Sequence, residues 1–221
     1  MSNLFSPLVE RAIELSAEWH DQTYRKSRWR GYAFDAPPEE ALHIPVMAHV
    51  TAVALTVQRA GWDDETIAAA FLHDIIEDRN RFKGTFTAER LAEVMGEAVT
   101  ARVLGVTEPK LGDDGEHLPW RFRKEAYIET IRTSSAEAVA ISLADKLHNA
   151  WTMNQALESG LDIFSDGPTH RGLSAGPESQ RWFFHAVLAA SETFDDPRLE
   201  PMRERLREEI ARFERLTGEE E

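Results

Sequence analysis

Apolar residues recur every three or four positions along most of the chain, which is the spacing that places them on one face of an α-helix. Stretches rich in glycine, proline or aspartate interrupt this spacing at residues 31–38, 112–115 and 160–177. The apolar run 138–144 would suit a buried strand on its own, but its flanks continue with helical spacing. The pattern therefore predicts an all-α fold, with helices over residues 4–24, 45–60, 65–78, 88–104, 120–133, 136–157, 178–193 and 198–216.

Several residues at the ends of these segments are typical of helix boundaries. Asp63 or Asp64 can cap the third helix, and Thr87 can cap the fourth, because their side-chain oxygens accept hydrogen bonds from free backbone N–H groups. Gly61 suits the end of the second helix, where a left-handed residue is common. These signals support the predicted order of elements.

No internal repeat or linker-like segment divides the 221 residues. A chain of this length can bury a full hydrophobic core as one domain. We expect a single helical bundle over residues 1–221, with its functional motifs within 10–157 and the last helices, within 178–216, packed on that core.

Composition and charge exclude several classes of function. The net charge of −14 argues against a nucleic-acid or membrane-surface binder, which needs a basic face. The chain contains no cysteine, which rules out disulfides and cysteine-based zinc sites. The first residues lack the basic region of a secretory signal and carry acids early, and no apolar run is long enough to span a bilayer. We expect a cytoplasmic protein, and no feature predicts its oligomeric state.

The segment 71–78, with the sequence FLHDIIED, carries the densest set of potential metal ligands. His73 and Asp74 are adjacent, and helical spacing puts Glu77 one turn after His73 and Asp78 one turn after Asp74. An imidazole and three carboxylates would then converge at one helix end, as a metal ion requires. Taken alone, the segment is equally typical of a helix end with solvated acids.

Two further residues, in distant apolar segments, suit the same site. Asp145 follows one of the most apolar runs of the chain, and an acid there must be paired or bound to a metal because burying a free charge is costly. An internal ion pair would also satisfy it. His49 lies among apolar residues, where a histidine is more often a core residue than a ligand.

Together these segments resemble the HD-domain superfamily of metal-dependent phosphohydrolases, and most closely the hydrolase domain of the RelA/SpoT family and the small alarmone hydrolases. The resemblance covers most of residues 10–157 and rests on several ordered motifs. They are Thr23-Tyr24-Arg25-Lys26-Ser27, the helix around His49, the segment 66–78, Leu104-Gly105-Val106-Thr107, the segment 142–149 with Asp145 and Asn149, and Thr152.

The resemblance implies an all-helical enzyme that hydrolyses (p)ppGpp to GDP or GTP and pyrophosphate, usually with manganese. It implies four metal ligands, namely His49, His73, Asp74 and Asp145. Glu77 and Asp78 would act as general base and acid on water and protons. Arg25 would lie against the nucleobase and Lys26 would meet phosphate, while Asn149 and Thr152 would contact the sugar or its 5′-phosphates.

The sequence departs from the family pattern near the expected substrate entrance. The connection from Ser27 to His49 is longer than usual and contains the basic, aromatic segment 28–32. Val50 stands where the family commonly has proline, and Arg79 where it commonly has threonine. These departures leave the metal ligands in place but affect the region that chooses the substrate.

Three other functions fit parts of the pattern. Another HD-type hydrolase could act on NADPH or a nucleoside monophosphate. A non-catalytic nucleotide-binding regulator would keep the fold, although it would not need both Glu77 and Asp78. A helical interaction protein would bind no ligand. In the first two cases, as in the alarmone reading, the partner is a small nucleotide.

Overall fold

Helices make up most of the chain in a computed structural model, which describes residues 4–30, 42–112, 115–167 and 171–218. The nine α-helices in these ranges are α1 (Pro7–Trp19), α2 (Val46–Arg59), α3 (Asp64–Leu72), α4 (Ala88–Met95), α5 (Glu97–Leu104), α6 (Trp120–Thr133), α7 (Ala136–Glu158), α8 (Pro177–Ser191) and α9 (Glu200–Thr217). A short 3₁₀ turn, Pro197–Leu199, precedes α9. The predicted all-α class is confirmed.

A small antiparallel sheet, which the sequence did not predict, accompanies the helices. Its strands are β1 (Tyr24–Arg30) and β2 (Leu42–Pro45), with Tyr24 opposite Pro45 and Trp29 opposite His43. The pairing is irregular between these two positions. We did not predict it because β1 is mostly polar and lacks the alternation of apolar and polar residues that marks a half-buried strand. The loop predicted at 31–38 lies outside the described residues.

Three predicted helices end or break earlier than expected. The first, predicted over 4–24, ends at Trp19. The third, predicted to reach residue 78, begins after the capping residue Asp63 but ends at Leu72, and residues 73–77 form turns instead. The fourth, predicted over 88–104, begins after the capping residue Thr87 and is interrupted at Gly96. Gly96 has φ of +87°, a left-handed conformation that breaks an α-helix and that glycine adopts most easily.

Helix α7 forms the centre of the bundle. It packs against α2, α3, α5, α6, α8 and α9, and its residues 138–146 are buried throughout. Helix α9 runs along α7, and the amide of Asn154 on α7 donates a 2.8 Å hydrogen bond to the carboxylate of Glu209 on α9. In the described residues no helix is both long and apolar enough to cross a membrane. Because so many elements contact α7, polar side chains along it meet residues from distant parts of the sequence.

Candidate metal centre

The four predicted metal ligands come from three elements that pack together at the middle of the bundle. His49 lies on α2, His73 and Asp74 directly follow α3, and Asp145 lies on α7. Helix α2 contacts both α3 and α7, and α3 also contacts α7. The early end of α3 allows His73 and Asp74 to turn towards the other two residues.

Their nitrogen and oxygen atoms converge on one small volume. His49 Nε2 lies 3.1 Å from Asp145 Oδ1 and 3.9 Å from Asp74 Oδ2. His73 Nε2 lies 3.4 Å from Asp74 Oδ1 and 4.0 Å from Asp145 Oδ1. Donor atoms of His49, His73 and Asp74 all lie within 4.8 Å of one another. The structure thus brings together the four residues that the sequence singled out.

The ring of His73 presents a free lone pair to this volume. Its Nδ1 lies 2.8 Å from the carbonyl oxygen of Ala70, and a carbonyl only accepts, so Nδ1 carries the proton and donates. The opposite nitrogen, Nε2, is buried without a hydrogen-bond partner in the described part of the chain. A backbone carbonyl that fixes the tautomer in this way is the usual second partner of a metal-binding histidine. This buried, unpartnered nitrogen fits a metal ion.

The charges of the site also suit a divalent cation. Burial, together with the nearby Arg25 guanidinium, holds the pKa of His49 well below its ordinary value, so its ring is neutral. Burial would raise the pKa of Asp145, but the adjacent Lys146 ammonium and His49 outweigh it and hold that pKa well below normal. For His73, burial would lower the pKa, yet Asp74 and Asp145 raise it. Imidazole nitrogen and carboxylate oxygen are donors that zinc, manganese and iron accept.

Glu77 and Asp78 follow the ligands and have different surroundings. Glu77 Oε1 accepts a 2.7 Å hydrogen bond from the backbone N–H of Glu108. Burial and the nearby Asp74 raise the pKa of Glu77 to about 7, against the opposing effect of Lys110. Asp78 is more exposed, and its Oδ1 accepts a 2.9 Å bond from Lys110 Nζ. A carboxylate with a pKa near neutrality is suited to transfer protons at physiological pH.

The predicted substrate residues do not all lie at the site. Arg25 on β1 donates a 2.5 Å bond from Nη2 to Asn149 Oδ1, and Asn149 Nδ2 donates a 2.6 Å bond to Asp145 Oδ1. Thr152 is buried, its hydroxyl donates to the carbonyl of Asn149 at 2.9 Å, and it is not among the described residues that line the cavities below. The side chain of Lys26 lies outside the described part of the structure.

Two adjoining cavities lie at the predicted metal site, the inner one lined by all four predicted ligands and the outer one by Asp74 alone of them. The inner cavity has a volume of about 160 Å³, and three cationic side chains line it: Arg25, Lys124 and Lys146. The outer cavity, of about 300 Å³, shares these three cations and also has an apolar side. That side is formed by Trp120, Met153, Leu173, Phe183 and Phe184.

Sequence reasoning missed several residues of the inner cavity. Glu108 is buried with 7% exposure, and its carboxylate pairs with Arg123, at 2.5 Å, and with Lys124. Lys146 pairs with Asp145 and lies 4.6 Å from the ring of Tyr127. The charged residues around Trp120 have no spacing that separates them from a solvated helix face. Lys146 lies in the segment 142–149 that carries the family resemblance, but the sequence indicated no role for its side chain.

Comparison with known proteins agrees with this geometry. The profile of an HD domain family matches residues 33–165, which is more than half of the chain. A Haemophilus influenzae protein named guanosine-3′,5′-bis(diphosphate) 3′-pyrophosphohydrolase is 36% identical over 115 residues. The match covers 49% of this chain and 15% of that protein. A Danio rerio protein whose name describes the same activity is 34% identical over 118 residues, or 52% of this chain and 59% of that protein.

Solved structures show the same fold over a longer range. A structure described as a metazoan ortholog of SpoT that hydrolyses ppGpp has a TM-score of 0.62 and 23% identity. The alignment covers 98% of this chain and 99% of that one. A Listeria monocytogenes protein has a TM-score of 0.59 and 26% identity, over 76% of this chain and 97% of that one. From its match over residues 33–165 and the convergence of its histidines and aspartates, the chain belongs to the HD-domain family.

Proposed function

We propose that this protein is a metal-dependent phosphohydrolase that converts (p)ppGpp to GDP or GTP and pyrophosphate. The observation that carries the proposal is the convergence of His49, His73, Asp74 and Asp145 beside the Glu77 carboxylate, in a cavity that Arg25 also lines. The names of the Haemophilus influenzae and Danio rerio relatives support the choice of substrate. Each match covers only about half of this chain, so the activity is our inference for it.

The four ligands would hold a divalent ion, which we propose is Mn²⁺. Two neutral imidazoles and two carboxylates balance its charge and leave coordination positions for substrate. When bound, such an ion lowers the pKa of water and offsets negative charge on the phosphate oxygens. Asp145 is already ionised and His49 already neutral, so neither residue needs to release a proton before it can bind the ion.

Glu77 and Asp78 would handle the protons of the reaction. The carboxylate of Glu77 lines the inner cavity, and the Glu108 N–H fixes its Oε1. Its Oε2, which lies 3.4 Å from Lys110 Nζ, would accept a proton from water. Asp78 lines the outer cavity and is held by Lys110. We propose that Glu77 orients and deprotonates the attacking water, and that Asp78 relays this proton to the 3′-oxygen as the bond between that oxygen and phosphorus breaks.

Arg25 and Asn149 would orient the nucleotide. Their mutual hydrogen bond places a planar guanidinium at both cavities, where it can lie against a purine ring. We propose that Asn149 contacts the sugar, and that Lys26 meets phosphate. Thr152 would act through the backbone of Asn149, to which its hydroxyl is bonded.

The proposal extends to the organisation of the chain. We propose that residues 1–221 act as one domain, because α8 supplies Gln180, Phe183 and Phe184 to the outer cavity although it lies beyond the matched range. We also propose that the protein works in the cytoplasm, on a small nucleotide and not on nucleic acid or membranes. Its net charge of −14 supports this choice of partner.

A substrate screen tests the proposed function. Metal-stripped protein would be reloaded with Mn²⁺, Mg²⁺ or Zn²⁺ and incubated with ppGpp, NADPH and GMP, with products separated by ion-exchange chromatography. We expect GDP and pyrophosphate from ppGpp with Mn²⁺. His73→Ala should abolish the reaction, whereas His185→Ala, on the exposed face of α8, should not. Orthophosphate from NADPH or GMP without pyrophosphate from ppGpp would reject the alarmone and favour a different nucleotide phosphatase.

A further inference from the structure

Lys124 on α6 stands where the two cavities meet. It lines both of them, together with Arg25, Asp74, Lys146 and Asn149. Its side chain is only 17% exposed. A largely buried ammonium between the candidate metal cavity and a partly apolar one is in a position to contact a phosphorylated ligand that occupies both.

Glu108 holds the Lys124 ammonium in this position. One oxygen of the Glu108 carboxylate accepts a hydrogen bond from Arg123 and the other accepts one from Lys124. The three groups together therefore have a net charge of plus one. An ammonium has three N–H donors, and the bond to Glu108 uses one of them. Burial and the neighbouring Lys146 lower the pKa of Lys124, against the effect of Glu108, so a nearby anion would relieve the repulsion between the two lysines.

The charge balance of the inner cavity also favours an anion. Three cationic side chains and four carboxylates line it: Arg25, Lys124, Lys146, Asp74, Glu77, Glu108 and Asp145. The formal charge of these groups is negative by one, and a divalent ion would make it positive by one. A phosphate group at the junction of the two cavities could then contact both the divalent ion and Lys124.

The outer cavity has an apolar side that could hold a nucleobase, whereas the inner cavity is lined mainly by charged and polar side chains. Lys124 Nζ lies 4.6 Å from the centre of the Phe183 ring and 5.9 Å from that of Trp120. Trp120 is half-buried and Phe183 is buried, and Met153 lines the same cavity. An aromatic and thioether wall next to a lysine suits a flat, apolar nucleobase whose phosphates point towards the ammonium.

We infer that Lys124 is a phosphate-binding residue of the substrate site, that Glu108 is its positioning residue, and that the nucleoside part of the substrate lies against Trp120 and Phe183. The inference rests on the proposed function for the identity of the nucleotide. Trp120 lies within the range matched by the family profile, whereas Phe183 lies outside it, so the Phe183 part of this wall is one that the family match does not cover.

Binding of two separate probes tests the inference without requiring turnover. Inorganic pyrophosphate and guanosine would each be titrated into manganese-loaded protein, for the unaltered chain and for Lys124→Gln, Lys124→Arg and Arg132→Gln. Arg132 is an exposed cation on the same helix and serves as the charge-matched control. Circular dichroism and metal content would establish that each variant folds and loads.

We expect Lys124→Gln to weaken pyrophosphate binding about tenfold, which corresponds to the loss of one charge-assisted hydrogen bond. Guanosine binding should change by less than about twofold. Lys124→Arg should recover most of the pyrophosphate affinity, and Arg132→Gln should match the unaltered chain.

Unchanged pyrophosphate binding in Lys124→Gln would overturn the assignment of Lys124 as a phosphate-binding residue. An equal loss of affinity for pyrophosphate and guanosine would also overturn it, because it would indicate a change of cavity shape. No guanosine binding to the unaltered chain would overturn the placement of the nucleoside. If ppGpp is not hydrolysed while Lys124→Gln selectively loses pyrophosphate, the proposed function fails and this inference stands.

Discussion

The Nδ1 atoms of His49 and His148 lie 2.8 Å apart, joining α2 to α7 through two imidazole rings. One ring must donate and the other accept, since two lone pairs or two protons would repel each other. His49 Nε2 faces Asp145, so a proton on His49 Nδ1 leaves the lone pair of Nε2 directed at the metal site. This contact with α2 makes His148 a partner of a predicted metal ligand.

Replacing His148 should therefore weaken metal binding while leaving the four ligands intact. We expect His148→Phe to lower the affinity for Mn²⁺ by about 10- to 100-fold, because the second partner of a metal-binding histidine fixes its tautomer and orientation. Isothermal titration of metal-stripped protein measures this affinity. Trp151→Phe, one turn further along α7, is the control for a ring change nearby. An unchanged affinity in His148→Phe would show that His49 is oriented without its neighbour.

Removing the charge of Asp145 should affect both the metal and the fold. Asp145→Asn would remove one ligand and leave the buried Lys146 ammonium, which is 8% exposed, without its ion partner. We expect metal content to fall to near zero and the free energy of unfolding to drop by about 3 kcal/mol. Urea denaturation and metal analysis provide the two readouts, with Glu93→Gln on the exposed face of α4 as control. A variant that keeps its full metal content would exclude Asp145 as a ligand.

The sequence singled out His49, His73, Asp74 and Asp145 because each carries a chemical requirement, and the structure brings these four residues together. Asp145 in an apolar run needed a positive partner, and the structure supplies the Lys146 ammonium, with the neutral His49 ring also beside the carboxylate. The end of α3 could not be predicted because segment 71–78 has helical spacing. The turns after Leu72 arise from tertiary contacts, such as the bond from the Glu108 N–H to Glu77.

The outer cavity was beyond sequence reasoning for a related reason. Phe183 is buried like a core residue of α8, but its ring also lines a cavity with Lys124. Nothing in the spacing of α6 or α8 indicates that these helices meet beside the metal site. We did not predict the β1–β2 sheet because β1 lacks an alternation of apolar and polar residues. Its strand β1 carries Arg25, which donates a hydrogen bond to Asn149.

Glu77 should make the stability of the metal-free protein depend on pH. Burial and Asp74 raise its pKa to about 7 in the folded chain, above the ordinary 4.5 that it regains on unfolding. Between these values the folded state holds a proton that the unfolded state has lost, so stability should fall as pH rises from 4.5 to about 7. Glu77→Gln should remove that part of the decline, visible as a change of a few degrees in Tm across this range. Parallel Tm curves for the two proteins would contradict the raised pKa.

The same variant separates catalysis from metal binding. Glu77→Gln should keep the bound metal and reduce kcat by about 100-fold or more, since an amide cannot accept a proton from water. Metal analysis beside steady-state kinetics measures both effects, with Glu129→Gln on the exposed face of α6 as the matched control. Loss of metal in Glu77→Gln would mean that this residue is a ligand.

Arg25 should contribute mainly to substrate binding. Its guanidinium is held by Asn149 at the junction of the two cavities, and contact with a base is equally strong in the ground state and the transition state. Arg25→Ala should raise KM about tenfold and lower kcat by less than about threefold. Arg25→Lys should not restore KM, because an ammonium lacks the planar surface of guanidinium. A fall in kcat with unchanged KM would place Arg25 at the reacting phosphate instead.

The most direct test of the central claim is hydrolysis of ppGpp by manganese-loaded protein in water enriched in ¹⁸O, with the products analysed by mass spectrometry. Water that Glu77 directs at phosphorus breaks the bond between phosphorus and the 3′-oxygen, so the label should enter pyrophosphate and the GDP should be unlabelled. His73→Ala should give neither product. Labelled orthophosphate in place of labelled pyrophosphate, or no reaction of ppGpp at all, would contradict the proposed 3′-pyrophosphohydrolase.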